Sequence, residues 1–519
     1  MNLYEALTEY CSTDAYPFHM PGHKRRAAFL CDPASIDLTE IDGFDDLHHA
    51  RSLLLEAQAR AAALYGSSET HFLVNGSTAG ILSAIGACAV PGGCLLMARN
   101  SHRSAFNAAA LYQVRTAYLY PERYGSRAAQ DLNGPVDPAK VEEALCQLDD
   151  VCAVFITSPT YDGVVSDVAE IARIAHRHRV PLIVDEAHGA HFGMHRLFPA
   201  SSVTLGADLV IHSLHKTLPA LTQTALIHVN GPLVDRNRLR YLLSVHQTSS
   251  PSYVLMASID QCVCLLSERR DSLFDAYAAR LQRFYQKTEL RSLSFLKTDD
   301  PSRILVRPPE AAALPLYHSL RERFHLQPEM AAVSYVLLLS SVCDDDEGLS
   351  RLSEALLTLD AEYAAAASSG RNALQGKPEK TGTLARQEQT LPAKTGTPTR
   401  QEQTLPAKTG TLTRREQTLP AEPDRITGPA FALPKTEAFC TIAQALYSRS
   451  EDVLFSASKG RVSTEFLMLY PPGVPLLVPG ERIPAETIHF ALEMHQRGYM
   501  LTGPADDSLQ QIRVIQESV

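Results

Sequence analysis

Between about residues 50 and 230, short apolar runs alternate with segments of helical pattern. The predicted strands are 71–74, 94–98, 151–156, 180–184 and 209–211, and the predicted helices are 56–65, 141–148 and 171–178. Strands that alternate with helices indicate right-handed crossovers and a mostly parallel sheet. Because the apolar runs are continuous, we expect helices to cover both faces. The pattern therefore predicts an α/β protein.

Polar clusters follow these strands at the points where they end. Ser77 and Thr78 follow the first strand, His102 the second, Asp185 the fourth and Lys216 the fifth. In open α/β sheets, ligands bind at the carboxyl ends of the strands. We therefore expect the binding site to lie at this edge of the sheet.

An acid and a lysine at two of these strand ends suggest a specific chemistry. An apolar strand runs into Asp185, and another runs into Ser213, His215 and Lys216. A desolvated lysine can bind the aldehyde of pyridoxal phosphate (PLP) covalently, and a carboxylate can keep its pyridine nitrogen protonated. A solvated lysine and a helix-capping aspartate are the structural alternatives.

Three further candidates fit a PLP site. Ser77 and Thr78 open a predicted helix, where backbone amides and hydroxyls bind phosphate. His102 could stack on the pyridine ring, and His188 could contact the cofactor's phenolic oxygen or the substrate. Helix capping and an ordinary core histidine explain the same residues without a ligand.

The pattern changes after residue 290. Strands at 302–306 and 335–340 and helices at 313–324 and 349–367 predict a smaller α/β domain. A 14-residue unit then begins at Lys380 and recurs at Lys394 and Lys408. It has too few apolar residues to offset its ordering entropy, so we interpret 370–428 as a disordered linker, with a docking segment as the alternative. The predicted division is 1–290, 291–369, 370–428 and 429–519.

Composition narrows the class of protein. The 519 residues are 45% hydrophobic and 20% charged, with a net charge of −10, which favours a soluble protein and argues against nucleic-acid binding. No apolar run reaches the roughly 20 residues of a membrane span, and the N-terminus lacks the features of a signal peptide. The ten cysteines show no paired CxxC spacing. We expect no metal site, reduced thiols and a cytoplasmic location.

Taken together, the motifs resemble the Orn/Lys/Arg decarboxylase family of PLP enzymes. They are His19-Met-Pro-Gly-His-Lys24, Thr39-Glu-Ile-Asp-Gly-Phe-Asp-Asp-Leu-His48, Val74-Asn-Gly-Ser-Thr-Ala79, Arg99-Asn-Ser-His102, Ser158-Pro-Thr-Tyr-Asp-Gly163, Asp185-Glu-Ala-His188, His212-Ser-Leu-His-Lys216 and Tyr470-Pro-Pro-Gly-Val-Pro475. The resemblance implies the fold-type-I (aspartate aminotransferase-like) architecture. The chain is similar to the shorter members that lack an N-terminal wing domain, so a decamer is not expected.

The resemblance also implies roles for individual residues. Lys216 would bind PLP covalently, Asp185 would pair with the pyridine nitrogen, and His102 would stack on the ring. The residues around the phosphate would be Ser77, Thr78, Ser213 and His215. The segment 246–251, with Thr248, would approach the phosphate from a neighbouring subunit. A homodimer or higher even oligomer with shared active sites follows from that arrangement.

The expected reaction is decarboxylation of arginine, lysine or ornithine to the corresponding amine and CO2, with Lys216 and His188 as catalytic residues. A negative pocket should hold the substrate's distal cation. The acids considered for it are Asp42, Asp45, Asp46 and Glu465. Another fold-type-I enzyme, such as an aminotransferase or lyase, and a non-catalytic homologue are the alternatives.

Overall fold

The computed structural model describes residues 2–26, 33–124, 132–309, 313–369, 435–469 and 473–517. The 14-residue repeats and the rest of segment 370–428 lie outside these residues, as do the first three residues of the motif at 470–475. The proposed division into domains stays a prediction.

The helices are α1 (Leu3–Ser12), α2 (Leu53–Tyr65), α3 (Gly76–Cys88), α4 (Arg103–Leu111), α5 (Pro138–Gln147), α6 (Val168–Arg177), α7 (Leu214–Thr217), α8 (Arg236–His246), α9 (Tyr253–Lys287), α10 (Ala313–Glu322), α11 (Asp346–Ser369), α12 (Ile442–Tyr447) and α13 (Ala485–Gln496). Short 3₁₀ turns occur at Pro33–Ser35, Leu47–His49 and Phe455–Ala457. In the described parts of the chain, none of the helices has the length and apolar composition needed to cross a bilayer.

The strands are β1 (Tyr16–Phe18), β2 (Glu69–Leu73), β3 (Cys94–Ala98), β4 (Arg115–Leu119), β5 (Val151–Thr157), β6 (Leu182–Asp185), β7 (Leu209–Ser213), β8 (Ala225–Val229), β9 (Ser294–Leu296), β10 (Arg303–Arg307), β11 (Leu326–Pro328), β12 (Met330–Ala331), β13 (Val336–Leu339), β14 (Ser450–Leu454), β15 (Leu467–Leu469), β16 (Val474–Leu477), β17 (Leu501–Thr502) and β18 (Gln511–Ile515).

The largest sheet has seven strands in the order β2-β8-β7-β6-β5-β3-β4. Strands β7, β6, β5, β3 and β4 are mutually parallel, and β8 runs antiparallel between β7 and β2. This confirms the predicted mostly parallel sheet. The antiparallel strand β8 was not predicted from the sequence.

Hydrophobic cores cover both faces of this sheet. Along β6, the side chain of Val184 lies in one core and that of Ile183 in the other. Neighbouring β7 repeats the pattern with Val210 in the first core and Ile211 in the second. Side chains alternate between faces along a strand, so a fully apolar strand needs cover on both sides. The continuous apolar runs of the sequence are explained by these two cores.

The smaller α/β part contains a four-stranded antiparallel sheet in the order β12-β13-β10-β9. The N-terminal segment joins it, because β1 pairs in parallel with β11, with Phe18 opposite Pro328. Phe18 is fully buried in a core with residues of β10 and β13, including Ile304 and Leu338. The start of the chain is therefore placed beside residues more than three hundred positions away.

A buried ion pair attaches the C-terminal part to the large sheet. Arg99 follows β3, and its Nη2 lies 3.1 Å from Glu481 Oε2, with both side chains at most 2% exposed. Arg99 Nη1 also donates to Pro475 O at 2.6 Å, and Glu481 Oε2 accepts from Val478 N at 2.9 Å. These contacts fix the segment that contains β16 against the end of β3.

Glu481→Gln should lower the stability of the folded protein by about 3 kcal/mol, because it leaves the charge of Arg99 buried without a counter-ion. The measurement is the denaturant midpoint by circular dichroism. Glu437→Gln is the matched control, since Glu437 lies 4.0 Å from Arg482 and both side chains are exposed, and it should change little. Equal shifts of the midpoint in the two variants would show that the buried pair contributes no more to stability than the exposed pair.

Candidate active site

A cavity of about 210 Å³ lies at the carboxyl ends of the parallel strands. Five of the predicted site residues line it, namely Ser77, His102, Asp185, His188 and Lys216. They come from the ends of different strands, which meet at one edge because the strands are parallel. The structure thus brings together the acid and the lysine from which the PLP hypothesis was drawn.

Lys216 lies in the short helix α7, directly after the carboxyl end of β7, and lines the cavity. Its Nζ is 2.8 Å from His188 Nε2. Burial lowers the pKa of Lys216 to about 8, against the opposing effect of the Asp185 carboxylate. An amine with this pKa is partly deprotonated near neutral pH and can act as a nucleophile.

His188 is held from two sides. Arg303 Nη2 donates to the backbone oxygen of His188 at 2.6 Å, and the ring of Tyr161 lies 4.6 Å from the imidazole. Burial lowers the pKa of His188 well below its usual value, and the charges of Lys216 and Arg303 lower it further. The imidazole is therefore neutral, and its Nε2 shares a hydrogen bond with Lys216.

Asp185 ends β6 and is buried beneath the cavity. One carboxylate oxygen, Oδ1, accepts a hydrogen bond from Ala187 N at 3.1 Å. Burial raises the pKa of Asp185, whereas the positive charge of Lys216 opposes that shift. A buried carboxylate in this state is stabilised by any cation that enters the cavity next to it.

The opposite wall comes from His102 and from the start of α3. His102 caps α4, accepts a hydrogen bond from Ser104 N, and exposes its ring to the cavity. Burial by the surrounding wall lowers the pKa of His102 to about 4. At α3, Asn75 makes no side-chain cap, so the first-turn amides beside Ser77 are left for an anion.

Four other predicted residues do not line the cavity. Thr78 is exposed in the first turn of α3, and Ser213 is fully buried at the end of β7. His215 directs Nδ1 to Thr224 O at 2.9 Å, and burial lowers its pKa to about 4. Thr248 is exposed, with its backbone oxygen 2.9 Å from His48 Nε2. The roles suggested for these residues stay predictions.

None of the acids considered for the substrate pocket lines this cavity, and their suggested role stays a prediction. Asp45 accepts hydrogen bonds from Ser52 N and Leu54 N at the start of α2. Asp46 caps the 3₁₀ turn at 47–49. Glu465 accepts from Arg513 N and Ala505 N, and Asp42 is exposed. Satisfying backbone amides is the common use of such residues.

Besides Asp185, a second acid lines the cavity, Glu329, which lies between β11 and β12. Its Oε2 accepts from Met20 N at 3.0 Å, and its Oε1 accepts from the hydroxyl of Tyr161. Sequence reasoning missed it because it follows a strand of the smaller part and not of the main sheet. Tyr161 lies in one of the quoted motifs, which is the signal that could have drawn attention to this wall.

Several polar atoms of the cavity wall have no partner within the described residues. They are Asn100 Oδ1, Thr157 Oγ1 and His188 Nδ1, all buried. Buried polar atoms without partners are costly and indicate a ligand or ordered water. With an uncapped helix start, a buried acid and a lysine of lowered pKa, this donor set fits PLP.

The fold is that of the fold-type-I class of PLP enzymes. Residues 1–304 match the Orn/Lys/Arg decarboxylase major domain, and residues 429–500 match the C-terminal domain of the same family. The chain belongs to the Orn/Lys/Arg decarboxylase family, a family of PLP-dependent decarboxylases.

Relatives cover nearly the whole chain. An uncharacterized Bacillus subtilis protein, YaaO, is 30% identical over 96% of this chain and 96% of its own length. The arginine decarboxylase of Bacillus subtilis is 27% identical over 99% of this chain and 98% of its own. The solved structure of the Escherichia coli constitutive lysine decarboxylase is 20% identical, covers 99% of this chain and 81% of that one, and has a TM-score of 0.68. That last likeness supports the fold.

Lys216 should react with an amine-selective reagent at lower pH than an exposed lysine. In protein without added PLP, half-maximal labelling of Lys216 is expected near pH 8, from its pKa of about 8. The reference is a lysine in a model peptide, whose pKa is about 10.4. Mass spectrometry of the labelled peptides makes the comparison. If both lysines show the same pH profile, the amine of Lys216 is not desolvated.

Proposed function

We propose that this protein catalyses PLP-dependent decarboxylation of a basic amino acid, arginine, lysine or ornithine, to the corresponding amine and CO2. The observation that carries the proposal is the convergence of the Lys216 amine, the Asp185 carboxylate and the Glu329 carboxylate on one cavity. Relatives named arginine decarboxylase and lysine decarboxylase support the substrate class. The observed features support a catalytic protein over a non-catalytic homologue, because the reactive lysine and its acid are both present.

PLP supplies an electron sink that stabilises the charge left on the α-carbon when CO2 departs. Lys216 would hold the cofactor covalently, and Asp185 would hold the proton on its ring nitrogen. Ser77 and the α3 amides, with Thr78, Ser213 and His215 nearby, would bind the phosphate. His102 would stack against the ring and exclude water from one face.

The reaction breaks the bond between the α-carbon and the carboxylate, and a proton takes the place of CO2. Lys216 Nζ and His188 Nε2 are 2.8 Å apart, so the two groups share a proton near the reacting end of the cavity. The pKa of Lys216 is about 8, whereas that of His188 lies well below its usual value. Lys216 would carry this proton once the amine of the substrate has replaced it on the cofactor, and we assign its Nζ as the donor to the α-carbon, with His188 orienting it.

Glu329 would bind the distal cation of the substrate. It is an acid of the cavity wall and is already oriented by Met20 N and by the hydroxyl of Tyr161. A carboxylate with fixed geometry can pair with either an ammonium or a guanidinium group. The acids suggested from the sequence do not line this cavity, and their role stays a separate prediction.

The proposal extends to assembly and location. Thr248 is exposed and does not line the cavity of its own chain, which agrees with a role at the site of a neighbouring subunit in a homodimer or higher even oligomer. The nine cysteines of the described residues are free, which is compatible with a reducing cytoplasm. A net charge of −10 gives no support to nucleic-acid binding.

The purified protein with PLP should release CO2 and an amine from at least one of arginine, lysine and ornithine. Lys216→Ala should remove the visible absorbance of bound PLP and reduce turnover roughly 10²- to 10⁴-fold, whereas Lys287→Ala should change neither. Formation of a keto acid would instead identify an aminotransferase. Bound PLP without turnover of any substrate would identify a non-catalytic homologue.

Glu329→Gln should raise KM for the preferred substrate about 10- to 100-fold, because a hydrogen bond to a charged group contributes about 1.5–3 kcal/mol. The visible absorbance of bound PLP should remain. Glu347→Gln, an exposed residue of α11, is the matched control. A KM equal to that of the unaltered protein would exclude Glu329 as the distal-cation site.

A further inference from the structure

The motif His19-Met-Pro-Gly-His-Lys24 has no role in the chemistry described so far. We call residues 19–24 the N-terminal loop. It follows β1, which pairs with β11 of the smaller part, and it ends at a buried lysine. It contacts both the turn that carries Lys216 and the carboxylate of Glu329.

One set of contacts joins the N-terminal loop to the turn that carries Lys216. Gly22 N donates to His215 O at 2.7 Å. A Cβ at Gly22 would lie 2.8 Å from Thr217 C and 2.9 Å from Leu218 N, which leaves no room for any side chain. The backbone of the loop is therefore packed directly on the backbone of the Lys216 turn, and glycine is required there by the close approach.

A second set of contacts joins the same loop to the acid of the cavity. Met20 N donates to Glu329 Oε2 at 3.0 Å, and Met20 itself lines the cavity. Glu329 Oε1 is occupied by the hydroxyl of Tyr161, so both carboxylate oxygens are oriented. The position of the carboxylate thus depends on the loop as well as on its own strand.

Lys24 holds the N-terminal loop in this conformation. Its buried Nζ donates to Pro17 O at 2.9 Å, to His19 O at 3.1 Å and to Leu339 O at 2.8 Å. Two of these carbonyls belong to the N-terminal segment and one to the end of β13. Three donors of an ammonium are therefore used to tie the loop to the smaller part.

We propose that the N-terminal loop sets the separation between the Lys216 amine and the Glu329 carboxylate, and that Met20 is a specificity-determining residue for the length of the substrate. The proposal rests on the proposed function. Gly22 contacts the turn that carries Lys216, and Met20 contacts Glu329. Lys24 fixes the conformation of the loop and so the distance between these two contacts. The loop acts as a spacer of fixed length.

The candidate substrates differ in the distance between the α-carbon and the distal cation. Ornithine and lysine differ by one methylene, and arginine carries a longer, planar head group. One methylene in an apolar pocket changes kcat/KM by about 10- to 200-fold. Met20 and Glu329 both line the cavity, so we expect truncation of the flexible Met20 side chain to lengthen the space available for the distal group.

The experiment compares kcat/KM for arginine, lysine and ornithine in Met20→Ala, Met20→Leu and the unaltered holoenzyme. Met20→Ala should shift the ratio between substrates roughly tenfold toward the longer ones, while Met20→Leu, of similar volume, restores the original order. Met500→Ala, at an exposed methionine, is the control for mere substitution and should preserve the ratio. An unchanged ratio in Met20→Ala would overturn the proposal.

A second variant tests the spacer away from the cavity. Lys24→Met should raise KM about tenfold for every substrate, because the loop then no longer fixes Glu329. The visible absorbance of bound PLP should remain, because Lys216 is also held by its position directly after β7 of the main sheet. The control is Lys287→Met, at an exposed lysine. A folded Lys24→Met protein with unchanged KM contradicts the spacer. If this variant does not fold, the substrate ratio of Met20→Ala decides.

These outcomes differ from a failure of the proposed function. If the unaltered holoenzyme decarboxylates none of the three substrates, the proposed function is wrong. If it decarboxylates one of them and Met20→Ala keeps the same order of substrates, the proposed function stands and only the spacer is wrong.

Discussion

The amine of Lys216 is held against a neutral imidazole in a cavity that desolvates both groups, and the chemistry of the site depends on this constraint. Burial lowers the pKa of each group, so the pair at 2.8 Å holds a proton that can be given up. Asp185 lies near enough to oppose the shift at Lys216, as its effect on that pKa shows. In a more polar cavity, the pKa of Lys216 would rise toward that of an exposed lysine.

The cavity is formed by distant parts of the chain that meet at one edge of the main sheet. Parallel strands supply Asp185 and Lys216, the smaller part supplies Glu329, and the two ends of the chain supply Met20 and Val474. Each outlying wall is attached by a buried charged group: Lys24 through carbonyl oxygens near the N-terminus, and the Arg99–Glu481 pair near the C-terminus. Removing one partner of such a buried pair costs several kcal/mol, so we expect these contacts to hold each wall in place.

Local periodicity was enough to predict the main sheet. The strand Cys94–Ala98 was predicted with its observed bounds, and Asp185 and Lys216 were found because polar residues follow apolar strands. Glu329 and Met20 could not be found in this way, since they reach the cavity through tertiary packing of short strands outside the main sheet. The presence of an acid in the sequence does not by itself locate the pocket, because a carboxylate such as that of Glu465 also accepts backbone hydrogen bonds.

The contribution of both chain ends to one cavity has a consequence during biosynthesis. On the ribosome, Lys216 is made long before Val474, and domains generally fold from the N-terminus as they emerge. The nascent protein therefore carries its strand-end lysine before the last wall that surrounds it has been translated. A polypeptide that terminates ahead of residue 474 would keep the amine and lack this part of the cavity wall, so the pocket is completed only when translation has passed residue 474.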